Sequence, residues 1–264
     1  MMSVAVDRPG NVRPAPGRGG GFRTLLQTEL KLFIREPMLI FWGLAFPVIL
    51  LVVLGLAGPK KPERSLGYVK FIVVYTPVVI MLMLTVLSLS AVPAALASYR
   101  DKGYLRRLST TPVGAPRLLA AQLLIAFALE ALAVVLILLI ARVAFSVPLP
   151  GQVGGFLLAI ILTIGAMLGF GVVIAAVAPN QRIAAGIGSL LLFPLMFFAG
   201  LWVPQAQMGA ALRDASHYTP LGAAAPAVQN AIAGHWPGSI HLLVLAGYAV
   251  VLSVLAARFF RWDR

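Results

Sequence analysis

The sequence predicts an all-α integral membrane protein: six transmembrane helices with an N-terminal interfacial amphipathic helix and short re-entrant outer helices before the last span. Three observations carry that expectation. The 264 residues are 60% hydrophobic with a mean hydropathy of +0.95, well above the roughly 45–50% apolar content of soluble domains. Several windows of about 18 to 25 residues hold one charge or none, long enough to cross a bilayer. The short alternating segments of a β-barrel are absent, which leaves helices as the structure that satisfies its own backbone in lipid.

Residues 1–21 (MMSVAVDRPGNVRPAPGRGGG) are rich in Pro, Gly and Arg. They bury too little apolar area to offset their ordering entropy and read as a disordered cytoplasmic tail. Residues 22–264 read as one six-helix membrane domain. From Phe22 to Ile34, Phe22, Leu25, Leu26, Leu30, Phe33 and Ile34 recur at helical spacing, with Arg23, Gln27, Thr28 and Lys31 mainly opposite. This amphipathic helix is too short to span, so it lies flat in the interface or packs on a soluble partner. Pro37 then favours a break and a turn into the bilayer. Six spans follow: Met38 to Leu56, Phe71 to Leu96, Leu118 to Ala141, Phe156 to Ala178, Ile183 to Leu201 and Ile240 to Ala257. Prolines 47, 77, 93 and 194 fall within them and free carbonyls that allow kinks. Gly165, Gly169 and Gly171 in the fourth span, and Gly186 and Gly188 in the fifth, suit close helix packing.

With the N-terminus inside, 15 of the 21 Lys and Arg lie on the cytoplasmic side and 6 outside. The positive-inside rule thus places both termini in the cytoplasm. Two connections stand out. Tyr99 to Arg117 is the one sizeable inner loop. The outer segment Trp202 to Ser239 carries only Arg213 and Asp214 as charges among its 38 residues. So apolar a segment is expected to dip back as short helices whose backbone ends the protein must satisfy.

The net charge of +13 is not a nucleic-acid signal: no basic and aromatic interleaving accompanies it, and the basic residues flank apolar spans, where anionic lipid headgroups are the fitting partner. There is no cysteine, hence no thiolate metal site. Every lysine follows a residue other than glycine, so the phosphate-cradling Gly-Lys pair of an ATPase is missing. Histidines 217, 235 and 241 lack metal-ligand spacing, and neither H-E-x-x-H nor G-x-S-x-G occurs. No catalytic residue, metal ligand or cofactor site is expected. Glu130 is the only acid well inside a span. Ionised, it would cost roughly 3 kcal/mol or more there, so it is protonated, paired or facing a polar cavity, in a structural or a substrate and proton role.

The inner loop holds Arg100, Asp101, Lys102, Arg106 and Arg107 within eight positions, between Tyr99, Leu105 and Leu108. That combination makes either a membrane-hugging basic turn or a short helix that docks in a groove of a soluble protein, charge steering it and apolar residues fixing its register. At this point the order of motifs resembles the membrane subunit of type-2 ATP-binding-cassette (ABC) exporters, the permease family that includes daunorubicin-resistance-type drug exporters. LKLFIREPMLIFWGLAFPVILLVVLG is similar to the family's interfacial helix, Arg-x-Pro turn and first span with a Phe-Pro. YRDKGYLRRLSTTPV resembles its charged, Gly-containing segment ending in Thr-Pro. FPLMFFAGLWVP and YTPLGAAAPAVQNAI resemble the end of the fifth span and the outer Asn-Pro-Leu segment, with Thr219 in place of the Asn.

The resemblance implies a permease subunit that moves a hydrophobic or amphipathic drug, lipid or glycan out across the bacterial inner membrane. It also implies a second permease copy or a sister permease, and two cytosolic ABC ATPase subunits that hold the ATP and Mg. Arg100, Asp101, Lys102, Gly103, Tyr104, Leu105, Arg106 and Arg107 would form the coupling contact, where acidic residues are more usual before the glycine than this Arg-Asp-Lys. Glu130, Phe46, Phe193 and Phe197 are the candidate substrate path. The alternative is an ATPase-independent secondary transporter or membrane scaffold. The former more often shows internal repeats and several intramembrane ionisable groups, against one acid here.

Overall fold

Pro47 shapes the first apolar element. It has no N–H, and its ring crowds the carbonyl four residues earlier, at Gly43. The turn before it, Phe41–Ala45, is a widened π-turn, which accommodates the ring before α1 (Phe46–Ala57) begins. The computed structural model describes Pro37 and residues 41–62, 69–101 and 115–259, with backbone alone at 98–101, 115–117 and 259. The expected tail, the amphipathic helix 22–34 and most of the inner loop lie outside the described residues.

Two helices of 31 residues follow, α2 (Phe71–Asp101) and α3 (Ala115–Phe145). Each is about 46 Å long at about 1.5 Å per residue, longer than the roughly 30 Å of hydrocarbon. Then come α4 (Val153–Val177), α5 (Gln181–Ala199), a 3-10 turn (Gln205–Gln207), α6 (Ala210–Ser216), α7 (Pro220–Ile232) and α8 (Ser239–Phe259). Five helices, α2 to α5 and α8, are long and apolar enough to cross a membrane, and Phe41–Ala57 is a shorter apolar helix. Among the described residues there is no β-strand element. The chain is a multi-pass, all-α membrane protein.

The central helix is α2. It packs against α1, α3, α4, α5 and α7, and 83% of its most apolar window is buried, compared with 17% for α8. Peripheral α3 and α8 instead turn Leu132, Val135, Val143, Leu243 and Val250 outward, the apolar surface that lipid requires. Glycines set how closely α4 approaches its neighbours. A Cβ at Gly169 would sit 2.7 Å from the Cβ of Leu252 on α8, whereas one at Gly171 would strike the Ser88 carbonyl oxygen on α2. The sequence groups Gly165, Gly169 and Gly171 on one face; in the fold they serve two neighbours. Gly188 on α5 likewise meets the Leu89 carbonyl, 2.6 Å from an added Cβ, but Gly186 has nothing within 4 Å.

The apolar segment after α5 forms two short helices before the last long one, as expected, and α7 inserts among α4, α8, α5 and α2. Its ends are satisfied by protein, the condition for helix termini in an apolar setting. Thr219 caps the start, its Oγ1 accepting from the Gly222 N–H at 3.2 Å and donating to the Ser216 carbonyl at 2.8 Å. Thr and Asn share this capping ability, so Thr219 performs locally what an Asn would. At the other end, the N–H groups of Gly151 and Gln152 reach the carbonyls of Ile232 and Ala231 at 3.4 and 3.0 Å.

Candidate functional site

One turn of α2 collects contacts from three other helices. Pro93 cannot donate to the carbonyl four residues back, so the Leu89 carbonyl loses its helical partner. Gly188 of α5 lies against that carbonyl and Gly171 of α4 against the preceding one. Glycine is required at both because a side chain would meet backbone, which cannot rotate away. From α3, Glu130 closes the same turn: the Ser88 hydroxyl donates to its Oε1 at 2.7 Å. Both side chains are buried, Glu130 at 1% exposure, and Glu130 Oε2 has no hydrogen-bond partner among the described residues.

The surrounding interior is otherwise apolar. Thr76, Thr85 and Thr163 donate to the carbonyls of Ile72, Met81 and Ala159, each four residues earlier in its own helix, so these hydroxyls are mainly spent locally, with Thr85 Oγ1 also 3.8 Å from the Met167 sulfur on α4. Ser88 to Glu130 is therefore a buried polar tie between α2 and α3. Ser88→Ala is expected to lower stability by about 1–3 kcal/mol, since it strands a buried carboxyl. Adding Glu130→Leu should recover most of the loss. Thermal unfolding of the two variants in nanodiscs measures this, and equal midpoints for Ser88→Ala and wild type would count against the tie.

The candidate path residues do not share one lining within the single chain. Glu130 is interior, while Phe193 on α5 is 62% exposed and stacks on Trp202 at 6.0 Å between centroids. Phe197 lies one turn further on and makes an edge contact with Phe198. Phe46 heads α1 and packs on Trp42. The open face of α5 also carries Ala185, Gly186, Ser189 and Leu190. Of the predicted coupling residues, Arg100 and Asp101 fall in the last turn of the α2 backbone; Lys102, Gly103, Tyr104, Leu105, Arg106 and Arg107 lie outside the described residues.

Sequence reasoning missed Ser88, one hydroxyl among several along α2. It also missed Gln205, whose Nε2 donates to the carbonyls of Phe198 at 2.7 Å and Gly222 at 2.9 Å. The signal for Gln205 was present: Pro226 frees the Gly222 carbonyl within an apolar segment, and such a group needs a donor. The spacing of the histidines likewise hid a contact. His241 Nε2 and His217 Nδ1 lie 3.1 Å apart, joining α8 to the end of α6. Among the described residues no group of three or more His, Cys, Asp or Glu could hold a metal ion.

Two comparisons bear on this arrangement. The family model described as ABC-2 type transporter matches residues 20–233, from just before the predicted amphipathic helix to the end of α7. Among curated proteins none matches the chain.

Proposed function

The chain belongs to the ABC-2 type transporter family, and from that premise we propose that it is the permease subunit of an ATP-driven exporter in a bacterial inner membrane, with both termini cytoplasmic. As a membrane domain of that family it is a transport subunit and not itself the catalyst. A separate pair of cytosolic ABC ATPases supplies the energy, binding ATP and Mg on their own chains. The match over residues 20–233 is the observation that carries the reading.

The packing supports one mechanism for this reading. The inner loop, around Arg100 to Arg107, seats in a groove of the ATPase and moves when nucleotide closes the ATPase pair. α2 receives that movement directly and contacts α1, α3, α4, α5 and α7, so it distributes the displacement through the bundle. A second permease copy, or a sister permease, covers the open face of α5 and the adjoining parts of α1 and α2. The unfilled space at Gly186 and the outward Leu190 and Phe193 support that seam. A drug, lipid or glycan with an apolar portion travels along it past Phe46, Phe193 and Phe197, with Glu130 one layer behind. Nucleotide shifts the balance of open and closed seams only by binding the two states unequally.

The experiment is co-reconstitution with a small cytosolic ABC ATPase in sealed vesicles, using a fluorescent amphipathic dye as probe. ATP-dependent dye movement and stimulated ATP hydrolysis are expected only when both proteins are present. Uphill pumping by this chain alone would overturn the proposal.

A further inference from the structure

The side-chain amide of Gln205 has two N–H groups, and the two carbonyls it serves are ones their own helices cannot serve. Phe198 lies in the last turn of α5, which ends at Ala199. Its carbonyl has no following helical N–H. Gly222 lies four residues before Pro226 inside α7, and proline brings no donor to it. One amide spans both, at 2.7 and 2.9 Å. The backbone is built to deliver it there. Gly200, in the left-handed region at φ 93°, closes α5: its N–H reaches the Phe197 carbonyl and the Leu201 N–H reaches that of Met196. The chain thereby reverses over the helix end. Residues 205–207 then form a 3-10 turn pinned by the Gln207 N–H on the Pro204 carbonyl at 2.8 Å, so Gln205 stands on a fixed support.

We infer that Gln205 is a latch, a positioning residue that fastens α7 to the end of α5 so that the two shift as one body. The remaining polar contacts of α7 run elsewhere: its N-cap bonds to Ser216, and its last carbonyls bond to residues 151 and 152 ahead of α4. Among the described residues, Gln205 is the polar link between α5 and α7. Its value to transport rests on the exporter reading, in which α5 borders the seam and α7 closes one end of the bundle. Movement at the seam would then be delivered to the closing helix through this amide.

Gln205→Leu removes the latch, and adding Pro226→Ala supplies the Gly222 carbonyl with a backbone N–H from a good helix former. Pro226→Ala alone keeps Gln205 bonded, because a carbonyl accepts two hydrogen bonds. The chain has no cysteine, so spin labels on Arg182→Cys in α5 and Ala233→Cys just after α7 report one distance when labelled chain is diluted with unlabelled chain. Wild type should give a single narrow distance peak. That peak should be lost in Gln205→Leu and in the Gln205→Leu, Pro226→Ala double variant, and kept in Pro226→Ala. Thermal stability should fall in Gln205→Leu, hold in Pro226→Ala, and recover in part in the double variant, where the Phe198 carbonyl still lacks its donor and the distance peak stays broad. With a partner ATPase, the double variant should hydrolyse ATP at the normal rate but lose most dye export, while Pro226→Ala alone exports normally. A narrow peak in a folded Gln205→Leu protein or in the double variant would overturn the latch, whatever becomes of the exporter reading. A broad peak with full export would show the fastening and remove its role in transport.

Discussion

Replacing Gly171 with valine is expected to break the bundle. A Cβ alone at that position meets the Ser88 carbonyl oxygen, and the branched side chain adds two methyl groups to the collision. Overpacking usually costs about 1–3 kcal/mol when side chains can yield. Here the obstruction is backbone in the most buried helix, so a loss of about 3 kcal/mol or more is expected, a large share of the roughly 5–15 kcal/mol that holds a domain together. Gly247→Ala is the control, because nothing lies within 4 Å of a Cβ at Gly247. Thermal midpoints and the yield of monodisperse protein in detergent distinguish them. A Gly171→Val protein as stable as wild type would mean that α4 and α2 are not packed backbone to backbone.

Arg106→Glu combined with Arg107→Glu should have the larger functional effect. The double variant reverses two charges in the inner loop while leaving every described helix contact in place, so insertion and folding should be normal. Loss of steering and of two charged contacts should weaken ATPase binding at least about tenfold, roughly 1.4 kcal/mol. Export should fall with it. Copurification with the ATPase and dye export measure the two effects separately, and unchanged values for both would remove the loop from the coupling role.

The membrane architecture was legible because lipid imposes a simple rule: spans must be long and apolar, and the hydropathy of α2 to α5 and α8 states this directly. The short helices between α5 and α8 were legible for the same reason, since Trp202 to Ser239 is too apolar to hang free in water, and α7 is buried among its neighbours. What composition does not encode is azimuth. Gly186 and Gly188 are two positions apart and look alike in sequence, yet they point roughly 200° apart around a helix of about 3.6 residues per turn. One meets α2 and the other open space. Ser88 was hidden in the same way, because only the crossing of α2 with α3 decides which hydroxyl reaches Glu130. For the coupling residues, the sequence supplied the charge pattern and the family resemblance; α2 and α3 add the position of the loop between two adjacent long helices.

The length of α2 has a mechanical consequence. Gly171 and Gly188 grip it at Ser88 and Leu89, which makes that turn a fulcrum. By helix rise, the arm towards Asp101 is about 18 Å and the arm towards Phe71 about 27 Å. Were α2 to tilt as one body about that turn, its far end would sweep about half as far again as its near end, in the reverse direction.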